Sequence, residues 1–201
     1  MSQKIQFWGF NEENSDAPPY NKASQGRANP AGISYLYASE EIETAISEIH
    51  PIIGQIVSVA KIQTSKELKI FDFDYYNAFI NAKIMEKSAH KASEQLDISF
   101  GKLKVLFDTL AELFSRPVLG DTDDYYATQY ISECIKDLGF EGIKFKSSLK
   151  KDGFNYVLFD TSKDDKGNPK NYNILCSSLH RIENVEVSQK KLLPKEKPEN
   201  A

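Results

Sequence analysis

The sequence predicts an α+β domain, and three observations carry that prediction. Short runs rich in aromatic and β-branched residues read as strands, while longer runs with apolar residues at helical spacing read as helices. The two kinds are mixed along the chain without strict β-α-β alternation. The 201 residues suffice for one core burying about 70% of the unfolded surface, with no disulfide or metal staple required. Apolar residues at 40% and charged residues at 27% sit near globular averages, which excludes a wholly disordered chain.

Residues 1–25 read as an irregular segment packed on the core, because the Phe7-Trp8-Gly9-Phe10 aromatics are of a size usually buried. Ile33–Tyr37 reads as a short strand. Ser39 can cap a helix opening with Glu40 and Glu41, whose inward face would be Ile42, Ala45, Ile46 and Ile49, with Pro51 as its stop. On a wheel of about 100° per residue Glu48 falls about 60° beyond Ala45, on the shoulder of that apolar stripe. Such a placement suits a carboxylate facing a cleft.

Gln55–Ile62 and Leu68–Phe73 read as two strands joined by the polar Gln63–Glu67 turn. Tyr75–Gln95 is expected to hold helix plus loop. Leu103, Leu106, Phe107, Leu110, Leu113 and Phe114 form one helical face, ended by Pro117. Asp123 or Asp124 can cap a further helix with Tyr130, Ile131, Cys134, Ile135 and Leu138 inward and Gly139 as its stop. Strands follow at Gly142–Lys146 and Asn155–Asp160, around a turn at Lys150–Gly153. After the polar Ser162–Asn173 loop, a last strand is expected near Arg181–Val187. The Lys/Pro/Glu-rich tail, residues 189–201, has a composition that favours disorder.

A net charge of −4 lacks the basic field of a protein that binds nucleic acid through phosphate neutralisation, so no direct nucleic-acid binding is expected. No apolar run approaches the ~20 residues of a membrane span, and the polar start (Ser2, Gln3, Lys4) has no signal-peptide core. A cytoplasmic, membrane-free protein is expected. The cysteines, Cys134 and Cys176, and the histidines, His50, His90 and His180, have neither zinc nor HExxH spacing, so no metal is expected. The thiols read as buried or half-buried in a reducing compartment.

Three stretches can carry chemistry. The loop Gly26-Arg27-Ala28-Asn29-Pro30-Ala31-Gly32 can place a guanidinium and backbone amides around an anion. Tyr35 and Tyr37 share one strand face and lead into the helix bearing Glu48. Lys146-Ser147-Ser148 is followed on the next strand by Asn155, with no histidine close in sequence to make either serine a nucleophile.

Taken in order, Gly26-Arg27-x-Asn29-Pro30-x-Gly32, Tyr35-Leu36-Tyr37-x-Ser39, Ala45 with Glu48, Gly142-Ile143-x-Phe145-x-Ser147-Ser148 and Asn155-x-Val157-Leu158-Phe159 resemble the RES domain, a family named for an arginine, a glutamate and a serine. The resemblance runs from about residue 26 to 160. It implies a split mixed β-sheet core with flanking helices, like that of ADP-ribosyltransferase toxins, and a catalytic domain over residues 26–188. It also implies an activity that destroys NAD⁺ as substrate, in a bacterial toxin or defence effector. Known relatives pair with Xre-type antitoxins, so an antitoxin or other inhibitory protein is an expected partner, and inorganic phosphate a possible second substrate.

Carried over position by position, Arg27, Glu48 and Ser147 would be the name-giving residues, with Ser148 as the alternative to Ser147. Tyr37 would match the aromatic after the arginine block, and Asn155 the asparagine on the strand after the serine. Glu48, Arg27, Tyr37 and Ser147 are thus the expected catalytic set; Arg27, Asn29, Tyr37, Ser147 and Asn155 are the expected NAD contacts. Ala28 stands where many relatives carry tryptophan. The acceptor could be water, phosphate or a protein side chain, giving a glycohydrolase, a phosphorylase or an ADP-ribosyltransferase. A degenerate RES-like interaction module is the non-enzymatic alternative.

Overall fold

A computed structural model describes residues 9–89, 94–116 and 125–186. Phe7, Trp8, the Pro117 stop, the Asp123/Asp124 cap and the tail from Gln189 lie outside the described residues. The elements in chain order are β1 (Leu36–Ser39), α1 (Ile42–Glu48), β2 (Ile56–Thr64), β3 (Ile70–Asp72), α2 (Phe73–Ala89), α3 (Glu94–Ser115), α4 (Tyr126–Asp137), β4 (Gly142–Lys146), β5 (Phe154–Leu158) and β6 (Tyr172–Arg181).

Among the described residues the strands form two sheets, one of four strands in the order β1-β5-β4-β3 and one of two, β2-β6. β1/β5 and β4/β5 are antiparallel and β3/β4 is parallel. The fold is therefore α+β with a mixed sheet and flanking helices. The register puts Tyr37, Val157, Ile143 and Phe71 side by side across the four strands. Strand alternation puts Ser39, Asn155 and Phe145 on that same face, one step further along. This face carries the main core, where Phe71, Ile143, Phe145 and Val157 meet Phe114 of α3 and Ile135 of α4. On the opposite face Leu36 and Leu158 pack with Tyr172, Ile62 and Ile174 of the two-stranded sheet.

Several elements differ from expectation. β2 and β3 are not partners: β2 pairs antiparallel with β6, and β3 pairs with β4. A short polar link permits a hairpin without requiring one, and the nine residues of β2 need a partner of like length for their backbone groups, which β6 supplies with ten. The last strand runs Tyr172–Arg181, not near Arg181–Val187. Its side chains are mostly exposed, so no apolar alternation marks it. Ser39 ends β1 and does not cap α1, whose N-cap is Glu41. The fully buried residue of α1 is Thr44, while Ile42 and Ile49 are exposed.

In α3, Phe107, Leu110, Ala111 and Phe114 face the core but Leu103 and Leu106 are exposed. In α4, Ile135 is buried, yet Tyr130, Leu138 and Cys134 are exposed. Cys176 is exposed too, so neither thiol is buried or half-buried as expected. Asp72 starts α2 directly from β3, its Oδ1 accepting from the backbone N–H groups of Asp74 and Tyr75 at 2.9 and 3.0 Å. Gly139, at φ +82°, closes α4 in the left-handed conformation, and the N–H of Phe140 reaches back to the carbonyl of Ile135.

Candidate active site

The loop that carries Arg27 is fastened from inside. Asn29 is buried, and its Nδ2 donates to the carbonyls of Ser24, Pro30 and Ile33 at 2.8–3.0 Å. Its Oδ1 accepts from the Tyr37 hydroxyl at 2.6 Å, and that hydroxyl accepts from the Ala28 N–H at 2.9 Å. A Cβ at Gly26 would sit 2.6 Å from the Tyr37 hydroxyl oxygen and 2.7 Å from Asn29 Oδ1, so this close approach requires glycine. Tyr37 is 44% exposed as a residue, whereas its hydroxyl is engaged by Asn29 and by the Ala28 N–H. Burial pushes the phenol up to about 12, so the hydroxyl keeps its proton at neutral pH.

From the loop, the Arg27 side chain reaches α3, where Nη1 donates to the carbonyl of Leu113 at 3.0 Å. Burial holds the guanidinium below its ordinary value, with the Glu48 carboxylate acting in the opposite sense. The group remains a cation, and Glu48 is within its electrostatic reach.

A second set of contacts converges on Glu48. Its Oε1 accepts from the Ser147 hydroxyl and from Asn155 Nδ2, each at 2.7 Å. Asn155 is itself oriented by Ser39, whose hydroxyl donates to Asn155 Oδ1 at 2.7 Å. Ser147 sits at the head of the β4–β5 turn, its Oγ accepting from the N–H groups of Leu149 and Lys150 at 3.1 Å. With two donors reaching Ser147 Oγ, its own proton is directed at Glu48. The hydroxyl that meets Glu48 is that of Ser147, not of its neighbour Ser148. β1 joins the two sets, because Tyr37 belongs to the Arg27 loop and Ser39, two residues on, belongs to the Glu48 cluster.

The turn is held against α1 by a close contact. A Cβ at Gly153 would sit 2.5 Å from Thr44 Oγ1 and 2.9 Å from its Cγ2, and Thr44 is fully buried. Gly153→Ala is therefore expected to destabilise the protein by about 1–3 kcal/mol. Thr44→Ala in the same chain should recover part of that loss. Thermal unfolding of the single and double variants checks this.

Two contributors escape sequence reasoning. Thr128 and Gln129 of α4 are buried and hold the Arg27 loop by its carbonyls. Their helical neighbour Ser132 is buried too. A Thr/Gln/Ser group beside Ile131 and Ile135 is the signal that could have marked a polar inward face.

A cavity of about 1170 Å³ lies on the other side of α1, between the sheets, and Leu36, Ile42, Ile46 and Ile62 are among the residues lining it. The apolar stripe of α1 faces this space. Tyr37, Ser39 and Asn29 border the cavity, but Arg27, Glu48, Ser147 and Asn155 do not. Among the described residues no group of three or more His, Cys, Asp or Glu could hold a metal ion, and no helix is long and apolar enough to cross a membrane.

Neither the curated proteins nor the solved structures gave a match to the chain. Residues 5–172 match the family model described as the RES domain. Most of the chain, including the Arg27 loop, α1, the β4–β5 turn and Asn155, falls inside that match, and the chain belongs to the RES domain family.

Proposed function

We propose that this RES-type protein cleaves NAD⁺ at the nicotinamide–ribose bond, in a site laid out like that of ADP-ribosyltransferase toxins. The observation that supports this best is the Glu48 carboxylate, held through Oε1 by Ser147 and Asn155 within electrostatic reach of Arg27. Among the described residues both donors act on Oε1, which leaves Oε2 for a ribose hydroxyl.

The chemistry follows from charge. Nicotinamide in NAD⁺ is already a cationic leaving group, so the bond between ribose C1′ and the ring nitrogen can break with its electron pair passing to the ring. Neutral nicotinamide leaves, and an oxocarbenium-like ribosyl cation remains. A carboxylate fixed beforehand beside that cation stabilises it without reorganising at the moment of reaction. Arg27 holds the pyrophosphate, for which its planar fork is suited. Tyr37 borders the nicotinamide with its partly exposed ring. Asn29 and Asn155, whose amides serve the Arg27 loop and Glu48, act by positioning. An oxygen of water or phosphate then bonds to C1′, giving ADP-ribose and a proton or the ADP-ribosyl phosphate. Loss of NAD⁺ would harm the producing cell, which fits a toxin or defence effector restrained by an inhibitory protein.

Incubation of the purified protein with NAD⁺, with and without inorganic phosphate, followed by chromatography of nicotinamide, tests this reading. Release without phosphate identifies a glycohydrolase, and release only with phosphate a phosphorylase. If neither mixture releases nicotinamide, the reading fails in favour of transfer to a protein or a non-enzymatic module.

A further inference from the structure

The inward face of α4 carries Thr128, Gln129 and Ser132 beside Ile135, where a helix that only packed would be apolar throughout. Thr128 is 1% exposed and Gln129 7% exposed. The Thr128 hydroxyl donates to the carbonyl of Arg27 at 2.6 Å. Gln129 Nε2 donates to the carbonyls of Gly26 and Asn29 at 2.9 and 3.0 Å. Three carbonyls of one four-residue stretch are thus bound by two adjacent side chains from about a hundred residues further along the chain. Within the loop, the N–H of Gly26 also donates to the Asn29 carbonyl at 2.9 Å, and the N–H of Ala28 donates to Tyr37.

Buried side chains of this kind are costly unless their hydrogen bonds are made. Here the bonds are made to the backbone of the residue that carries the guanidinium. Packing alone could be met by Val and Met at the same positions, with similar volume and no polar atom to satisfy. What the polar pair adds is a fixed carbonyl direction at residues 26, 27 and 29, and hence a fixed origin for the Arg27 side chain. The far end of that side chain is tied separately, through Nη1, to the carbonyl of Leu113. Both ends of the arginine are therefore positioned, one by α4 and one by α3.

We propose that Thr128 and Gln129 are positioning residues that set the place of the Arg27 guanidinium, and that they govern affinity for the dinucleotide and leave the bond-breaking step alone. The proposal rests on the reading of Arg27 as the pyrophosphate-binding group.

The test compares Thr128→Val, which removes the hydroxyl at nearly constant volume, with Thr128→Ser, which keeps it, and with Arg27→Ala, all assayed by nicotinamide release from NAD⁺. Thr128→Val is expected to raise KM about tenfold while kcat stays within about threefold, because a misplaced binding group weakens attachment and the carboxylate is untouched. Thr128→Ser should hold KM within about twofold of the parent protein. Gln129→Met supplies a second reading of the same effect if Thr128→Val does not fold, and melting midpoints establish that the variants compared are folded. Equal KM values for the Val, Ser and parent proteins, with Arg27→Ala raising KM, would overturn the positioning role alone. An unchanged KM in Arg27→Ala would overturn the phosphate reading and this proposal with it.

Discussion

Glu48→Gln is expected to lower kcat for nicotinamide release by about 10²-fold or more, equivalent to about 2.7 kcal/mol of transition-state stabilisation. Affinity for NAD⁺ should change little. The substitution keeps the shape of the side chain and an oxygen able to accept from Ser147 and Asn155, so the two 2.7 Å contacts can persist. What disappears is the negative charge facing the developing ribosyl cation. An effect confined to kcat, with an unchanged melting midpoint, distinguishes lost electrostatics from a disturbed fold. Turnover like that of the parent protein would remove Glu48 from the chemistry.

Arg27→Ala should act on the other kinetic constant. A hydrogen bond to a charged group contributes about 1.5–3 kcal/mol, so KM for NAD⁺ is expected to rise about 10- to 100-fold, with kcat altered much less. The loop itself should survive, because Asn29, Tyr37, Thr128 and Gln129 hold its backbone without help from the guanidinium. Arg27→Lys should recover only part of the affinity, since a point charge cannot make a bidentate contact with phosphate oxygens. Steady-state kinetics of the two variants check this, and a KM unmoved in Arg27→Ala would refute phosphate binding.

The residues of the candidate site were more legible in the sequence than the frame that assembles them. Helical geometry put Glu48 on the shoulder of an apolar stripe, and in the structure the stripe faces the inter-sheet space while Glu48 turns to Ser147 and Asn155. A serine before acidic helix-starting residues is a good N-cap, but the pairing of Ser39 with Asn155 across β1 and β5 gave its hydroxyl a partner on the sheet instead. Pairing between distant strands is invisible to local patterning, so β2–β6 and the parallel β3–β4 contact could not be read from short windows. Helix α4 shows the same limit from another side. Hydrophobicity alone turned Tyr130 and Leu138 inward, whereas the inward face also carries Thr128, Gln129 and Ser132. Polar residues become favourable inside when a loop from elsewhere brings carbonyls to meet them.

The strongest single measurement is a crystal structure of the Glu48→Gln protein with NAD⁺ bound. The pyrophosphate is expected on the Arg27 guanidinium, with the nicotinamide ribose within hydrogen-bond distance of the side chain at position 48 and the nicotinamide beside Tyr37. A dinucleotide seated instead in the inter-sheet cavity beside Ile42 and Ile46, touching neither Arg27 nor position 48, would contradict the proposed site.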